Sequence, residues 1–148
     1  KDPINFLGKN YKQSEIKRKW YIVDMKDMVL GRVATRIASL LIGKGKVDAV
    51  PNMDCGDFVI VLNSDKLKVT GKKLENKMYY RHTGFPKGFR EETLNDVMKK
   101  DSRKVVRAAV KNMLPNNKLR AKMITRLFIF KDDKHPHEAQ KPEYIKLK

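Results

Sequence analysis

Between residues 30 and 42 the apolar side chains Leu30, Val33, Ala34, Ile37, Leu40 and Leu41 recur at intervals of three and four. Arg32, Thr35, Arg36 and Ser39 fill the gaps, so the spacing predicts an amphipathic helix over Leu30–Ile42, with Gly43 placed for a left-handed cap. Ahead of it, Trp20–Asp24 is rich in aromatic and β-branched residues and predicts a strand, followed by a turn at 25–28. Phe58–Leu62 is apolar at every position, the pattern of a strand covered on both faces, and predicts a central strand within 57–63. Leu67 and Val69, alternating with Lys66 and Lys68, predict a short strand ending at Thr70-Gly71; 78–81 reads as extended, before a loop containing Gly84, Pro86 and Gly88. Helices are expected over 91–99, capped by Arg90 or Thr93, over 103–114, capped by Asp101 or Ser102, and over 118–127. A last short strand at 127–130 and a polar tail over 132–148 complete the pattern. Strand, helix, strand order around one wholly apolar strand predicts an α/β layer fold with a mostly parallel sheet. Residues 1–19 are polar and aperiodic and read as an N-terminal arm, leaving 20–148 as a single domain.

Charge narrows the function. The chain carries 34 Lys+Arg against 17 Asp+Glu, a net charge of +17. Such self-repulsion is normally tolerated where a polyanion neutralises it, which makes nucleic acid the expected partner. The longest apolar run, Phe58–Leu62, is far below the roughly 20 residues of a membrane span, so no membrane association is expected. Cys55 is the single cysteine, which excludes a disulfide within the chain and suits a buried or loop thiol. The sequence opens at Lys1 without methionine or a signal-type segment, leaving open a removed transit peptide or an unobserved start.

The basic residues are unevenly placed. From Ser102 to Lys131 there are nine and no acid. Arg103, Arg107 and Lys111 are spaced by four, as are Lys118, Lys122 and Arg126, so each trio predicts one stripe along a helix, whose like-charge repulsion bound phosphates would reverse. A second basic segment runs from Lys66 to Arg90, including Lys72, Lys73, Lys77, Arg81 and Lys87, with Glu75 as its one acid. Tyr79, Tyr80, Phe85 and Phe89 interrupt it and are read chiefly as core or turn-packing residues, with stacking on unpaired bases as the alternative. Arg32, Lys44, Lys46 and Arg120 join the candidate phosphate contacts, with Lys44-Gly45-Lys46 as an exposed loop.

No cofactor, metal or small-molecule substrate is expected. The Gly-Lys pairs at 43–46 and 71–72 lack the remaining residues of a P-loop or a dinucleotide fingerprint. Of His82, His135, His137 and Cys55, only the two histidines flanking Pro136 are close in sequence, which is not a zinc spacing. An RNA-processing enzyme would need a paired acid and base, for which His82 beside Arg81 is a thin basis; an RNA- or DNA-binding regulator is the other rival.

Several motifs go further. Trp20-Tyr21-Ile22-Val23-Asp24, Leu30-Gly31-Arg32, Asp54-Cys55-Gly56-Asp57, Thr70-Gly71-Lys72-Lys73 and Met78-Tyr79-Tyr80-Arg81-His82-Thr83-Gly84, in this order, resemble the ribosomal protein L-thirteen family of the large subunit. Ala109-Val110-Lys111-Asn112-Met113-Leu114-Pro115 and His135-Pro136-His137-Glu138-Ala139-Gln140-Lys141-Pro142 extend the resemblance to the end of the chain. It implies a three-layer α/β/α domain with a four-stranded, mostly parallel sheet, and a structural protein, not an enzyme, that binds large-subunit ribosomal RNA beside neighbouring ribosomal proteins and supports assembly. The ribosome implied is bacterial or organellar. The family's RNA role carries over to Lys72, Lys73, Arg81, His82, Lys111, His135 and His137. The chain departs from the family at Asn116-Asn117 and Arg120-Ala121, where a glycine turn and a Gly-Arg pair are usual, and at Lys87, where glycine is common.

Overall fold

The computed structural model describes residues 16–47 and 49–145. β1 (Trp20–Asp24) leads into α1 (Leu30–Ile42), which Gly43 ends with φ 84° and its N–H bonded to the carbonyls of Leu40 and Ser39. β2 (Phe58–Leu62), the short α2 (Lys73–Asn76), β3 (Met78–His82), β4 (Phe89–Thr93), α3 (Leu94–Met113), α4 (Leu119–Thr125), β5 (Leu127–Ile129) and β6 (Glu143–Tyr144) follow. The four-stranded sheet has the order β5-β2-β1-β6 with every neighbour parallel; β3 and β4 form a separate antiparallel hairpin.

Strand alternation sorts the core into two layers. Val23, Val59, Val61 and Leu127 face a large cluster with Val33, Ile37 and Leu41 of α1, Val105, Val106 and Val110 of α3, and Met123 of α4. On the opposite face Ile22, Ile60 and Leu62 pack with Trp20, Phe128 and Phe130, and the ring of His137 lies 4.6 Å from that of Phe128 and 5.3 Å from that of Trp20. Helices thus cover one side of the sheet, while the other carries an aromatic layer into which the C-terminal segment inserts His137.

Two expected elements differ, and one element was not expected. The strand expected at Leu67 and Val69 reduces to one bridge between Val29 and Lys68, since no further neighbour runs alongside. The helix expected from 91 begins at Leu94. Residues 89–93 pair with β3 instead, and Thr93 caps α3 through a reciprocal box with Asp96. β6 was not foreseen at all. The expected break between the next two helices is present inside α3, where Asp101 leaves helical geometry (φ −161°, ψ 99°) and its carboxylate accepts the Arg103 N–H. The expected arm lies mostly outside the described residues. At its inner end the Arg18 guanidinium donates to the carbonyls of Gly56 (2.8 Å) and Asp54 (3.0 Å).

Candidate nucleic-acid interface

Ion pairing divides the predicted cations into internal and external groups. Arg126 belongs inside. It is 6% exposed and grips Asp54, itself 3% exposed, with two guanidinium nitrogens, while one of them also donates to the Leu41 carbonyl (3.1 Å). This corrects its expected place on a phosphate-facing stripe: α4 ends at Thr125, so the four-residue spacing from Lys122 no longer describes a common face. Lys46 is likewise turned inward, onto buried Asp57 and the Lys17 carbonyl. Arg103 spends its guanidinium on Asp101, and Arg120 donates to the carbonyls of Pro115 (3.1 Å) and Leu114 (2.9 Å), closing the end of α3. The Asn117 side chain accepts the Arg120 N–H (3.1 Å) ahead of α4, and neither asparagine takes the left-handed backbone of a glycine.

The remaining cations stand outside. Arg32 on the first turn of α1, Lys44 after it, Arg107 and Lys111 along α3, and Lys118 and Lys122 at α4 are exposed, without an ion-pair partner among the described residues. Lys72, Lys73 and Lys77 are in the same condition and share one cleft with Gly31, Asn112 and Met113. Sequence distance hid that meeting, because the cleft joins three separate motifs.

The β3–β4 hairpin carries Arg81, His82 and Lys87. Its aromatics divide differently from expectation: Tyr79 is half-buried, and burial raises its phenol above the usual range, whereas Tyr80 (66%), Phe85 (74%) and Phe89 (57%) are exposed. Tyr80 and Phe89 stack at 5.7 Å between centroids, and exposed rings beside cations are suited to stacking on unpaired bases. Lys87 takes φ 62°, the left-handed backbone that favours glycine. The Gly84 N–H donates to Nδ1 of His82 (2.9 Å), which places the proton of the neutral ring on Nε2. The His137 N–H makes the same kind of bond to Nδ1 of His135 (3.2 Å).

This arrangement of exposed cations on the helices and the hairpin can now be set beside known proteins. The family model described as ribosomal protein L13 matches residues 18–136. The chain belongs to the ribosomal protein L13 family. It is 48% identical over 136 residues to large ribosomal subunit protein uL13 of Thermotoga petrophila, covering 92% of this chain and 91% of the relative. The protein of that name from Aquifex aeolicus is 47% identical over 137 residues, covering 93% and 95%, and that from Ureaplasma parvum 46% over 132, covering 89% of each. Members of the L13 family are structural components of the ribosome rather than enzymes. Exposed cations not among the sequence candidates are Arg36, one turn beyond Arg32, and Arg90 and Lys104, which line a pocket with Arg81 and Glu92. Four-residue spacing on α1 would have found the first, and the spacing of Lys104 from Arg107 and Lys111 on α3 the last; only the hairpin brings Arg90 beside them.

Proposed function

We propose that this L13-family chain holds large-subunit ribosomal RNA through its external cations, with Lys72, Lys73, Lys77, Arg81, Arg107, Lys111, Lys118 and Lys122 on phosphates and His82 donating from Nε2. As a structural constituent of the large ribosomal subunit it supports assembly, in a ribosome of the bacterial type. The observation that carries the RNA reading is the division of charge: the buried carboxylates of Asp54 and Asp57 are satisfied internally, while these outer lysines and arginines have no carboxylate partner among the described residues. Bound phosphates would relieve their mutual repulsion and release counterions.

The chain is followed through a sucrose gradient of lysate, with crosslinking to RNA in each fraction. Travel with the large subunit and crosslinks to its main RNA are expected. Protein remaining at the top of the gradient, uncrosslinked, would sink the reading. Gradients of isolated organelles, run alongside, separate the organellar from the bacterial alternative.

A further inference from the structure

The cleft shared by the three lysines has a second chemical character. It has a volume of about 670 Å³ and opens between the first turn of α1, the Thr70-Gly71 turn, α2 and the end of α3. Its wall is apolar, formed by Val69, Leu94, Ala109 and Met113. Lys72, Lys73 and Lys77 rim it, and Asn76 and Asn112 contribute side-chain amides that make no hydrogen bond among the described residues. No aspartate or glutamate lines it. A plain phosphate contact needs only the rim, and a duplex presents its phosphates on a convex surface that suits the helix stripes better than a recess. An apolar wall behind a cationic rim, with amides that can both donate and accept, matches a ligand having an anionic end and a flat, hydrogen-bonding apolar end.

We infer that this cleft receives one unpaired nucleotide of the bound RNA, its phosphate on Lys72, Lys73 and Lys77, its base against Met113 and Val69, and the base edge at Asn76 and Asn112. The inference rests on the RNA reading above and adds to it a single-nucleotide site. Unstacked bases are the part of RNA that side chains can surround, and an apolar recess supplies the contact area that neighbouring bases provide in a helix.

Gly31 supplies a steric test. A Cβ added there meets no atom within 4 Å, and its backbone is not left-handed, so Gly31→Leu fits α1 while narrowing the cleft and leaving every lysine in place. Amide spectra of the 15N-labelled full chain are recorded with adenosine monophosphate, uridine monophosphate and inorganic phosphate at matched ionic strength. The nucleotides are expected to shift the Gly31, Gly71 and Asn112 signals saturably, about tenfold more tightly than phosphate, and Gly31→Leu to remove that advantage without lowering the melting temperature. Asn112→Ala, at an exposed position, is expected to weaken nucleotide but not phosphate binding and serves if the leucine variant misfolds. Equal affinity for phosphate and nucleotide overturns the inference in favour of a simple anion site, and tighter binding of a glutamate-rich peptide overturns it in favour of a protein partner. Unmoved cleft signals in a chain that still travels with the large subunit overturn the nucleotide site alone; failure to travel with the subunit removes the RNA reading itself.

Discussion

Replacing Arg126 by methionine separates the internal from the external arginines. In the native chain Arg126 and Asp54 are both almost fully enclosed, so losing the guanidinium leaves a buried carboxylate. Breaking a buried pair in this way costs about 3–5 kcal/mol. Arg18 stands 3.7 Å from the same carboxylate with a partly exposed side chain and compensates in part, which places the expected loss near 3 kcal/mol, at the lower end of that range. For a chain of this length each kcal/mol lowers the melting temperature by about 2–4 °C, so a fall of roughly 6–12 °C is expected by circular dichroism. Adding Asp54→Leu removes the stranded charge and should recover most of the loss. Arg107→Gln is the external control: its stability should stay within about 0.5 kcal/mol of the parent, while the slope of log affinity for ribosomal RNA against log salt falls by about one. The reasoning is refuted if Arg126→Met melts like the parent and lowers the salt slope, because the side chain would then be a phosphate ligand.

Other expectations follow from single sites. Gly56→Ala should destabilise by roughly 4 kcal/mol or more, seen as lost soluble yield or a collapsed melting temperature, because the new Cβ would stand 1.7 Å from the Leu41 carbonyl oxygen. Thr93→Ala should cost about 1 kcal/mol at the start of α3. The Thr93 hydroxyl is the chief reason the Asp96 carboxyl sits below the usual range, so a carbon-detected NMR titration should show it rise in that variant. Because the folded value of Asp96 is depressed, its contribution is present at neutral pH and is lost as pH falls through that value, so the gap between the parent and Thr93→Ala should narrow in acid to the part due to the Thr93 hydroxyl accepting the Asp96 N–H. Replacing Arg107 and Lys111 together by glutamine should lower the salt slope by about two, checked by filter binding across salt concentrations.

What could be read from the chain was whatever repeated locally. β1 and α1 have the expected bounds because one strong pattern fills each, and Gly43 caps where the helical spacing stops. Residues 89–93 misled because an exposed two-stranded hairpin buries little and Phe89, Arg90, Glu91 and Glu92 carry no apolar alternation. β6 has only two residues and no pattern. Within the candidate interface, periodicity found Arg107 and Lys111 but carried Arg126 along with Lys122, since the partner that takes it inside, Asp54, lies 72 residues away. The cleft was invisible for the same reason: Gly31, Lys72 and Asn112 become neighbours only when α1, α2 and α3 assemble.

The outer edge of β1 is closed by β6, with Tyr21 opposite Glu143 and Ile22 opposite Tyr144. A chain made at about 5–20 residues per second leaves on the order of 10 s between the synthesis of those partners. Throughout that interval the β1 backbone faces outward with unpaired amides and carbonyls, and β5, the strand that flanks β2 on the far side, is made only after α3 and α4. The growing polypeptide therefore carries the cations of α1, α2, α3 and α4 before its sheet has either border, and the clock of translation sets how long it stays open to a wrong strand.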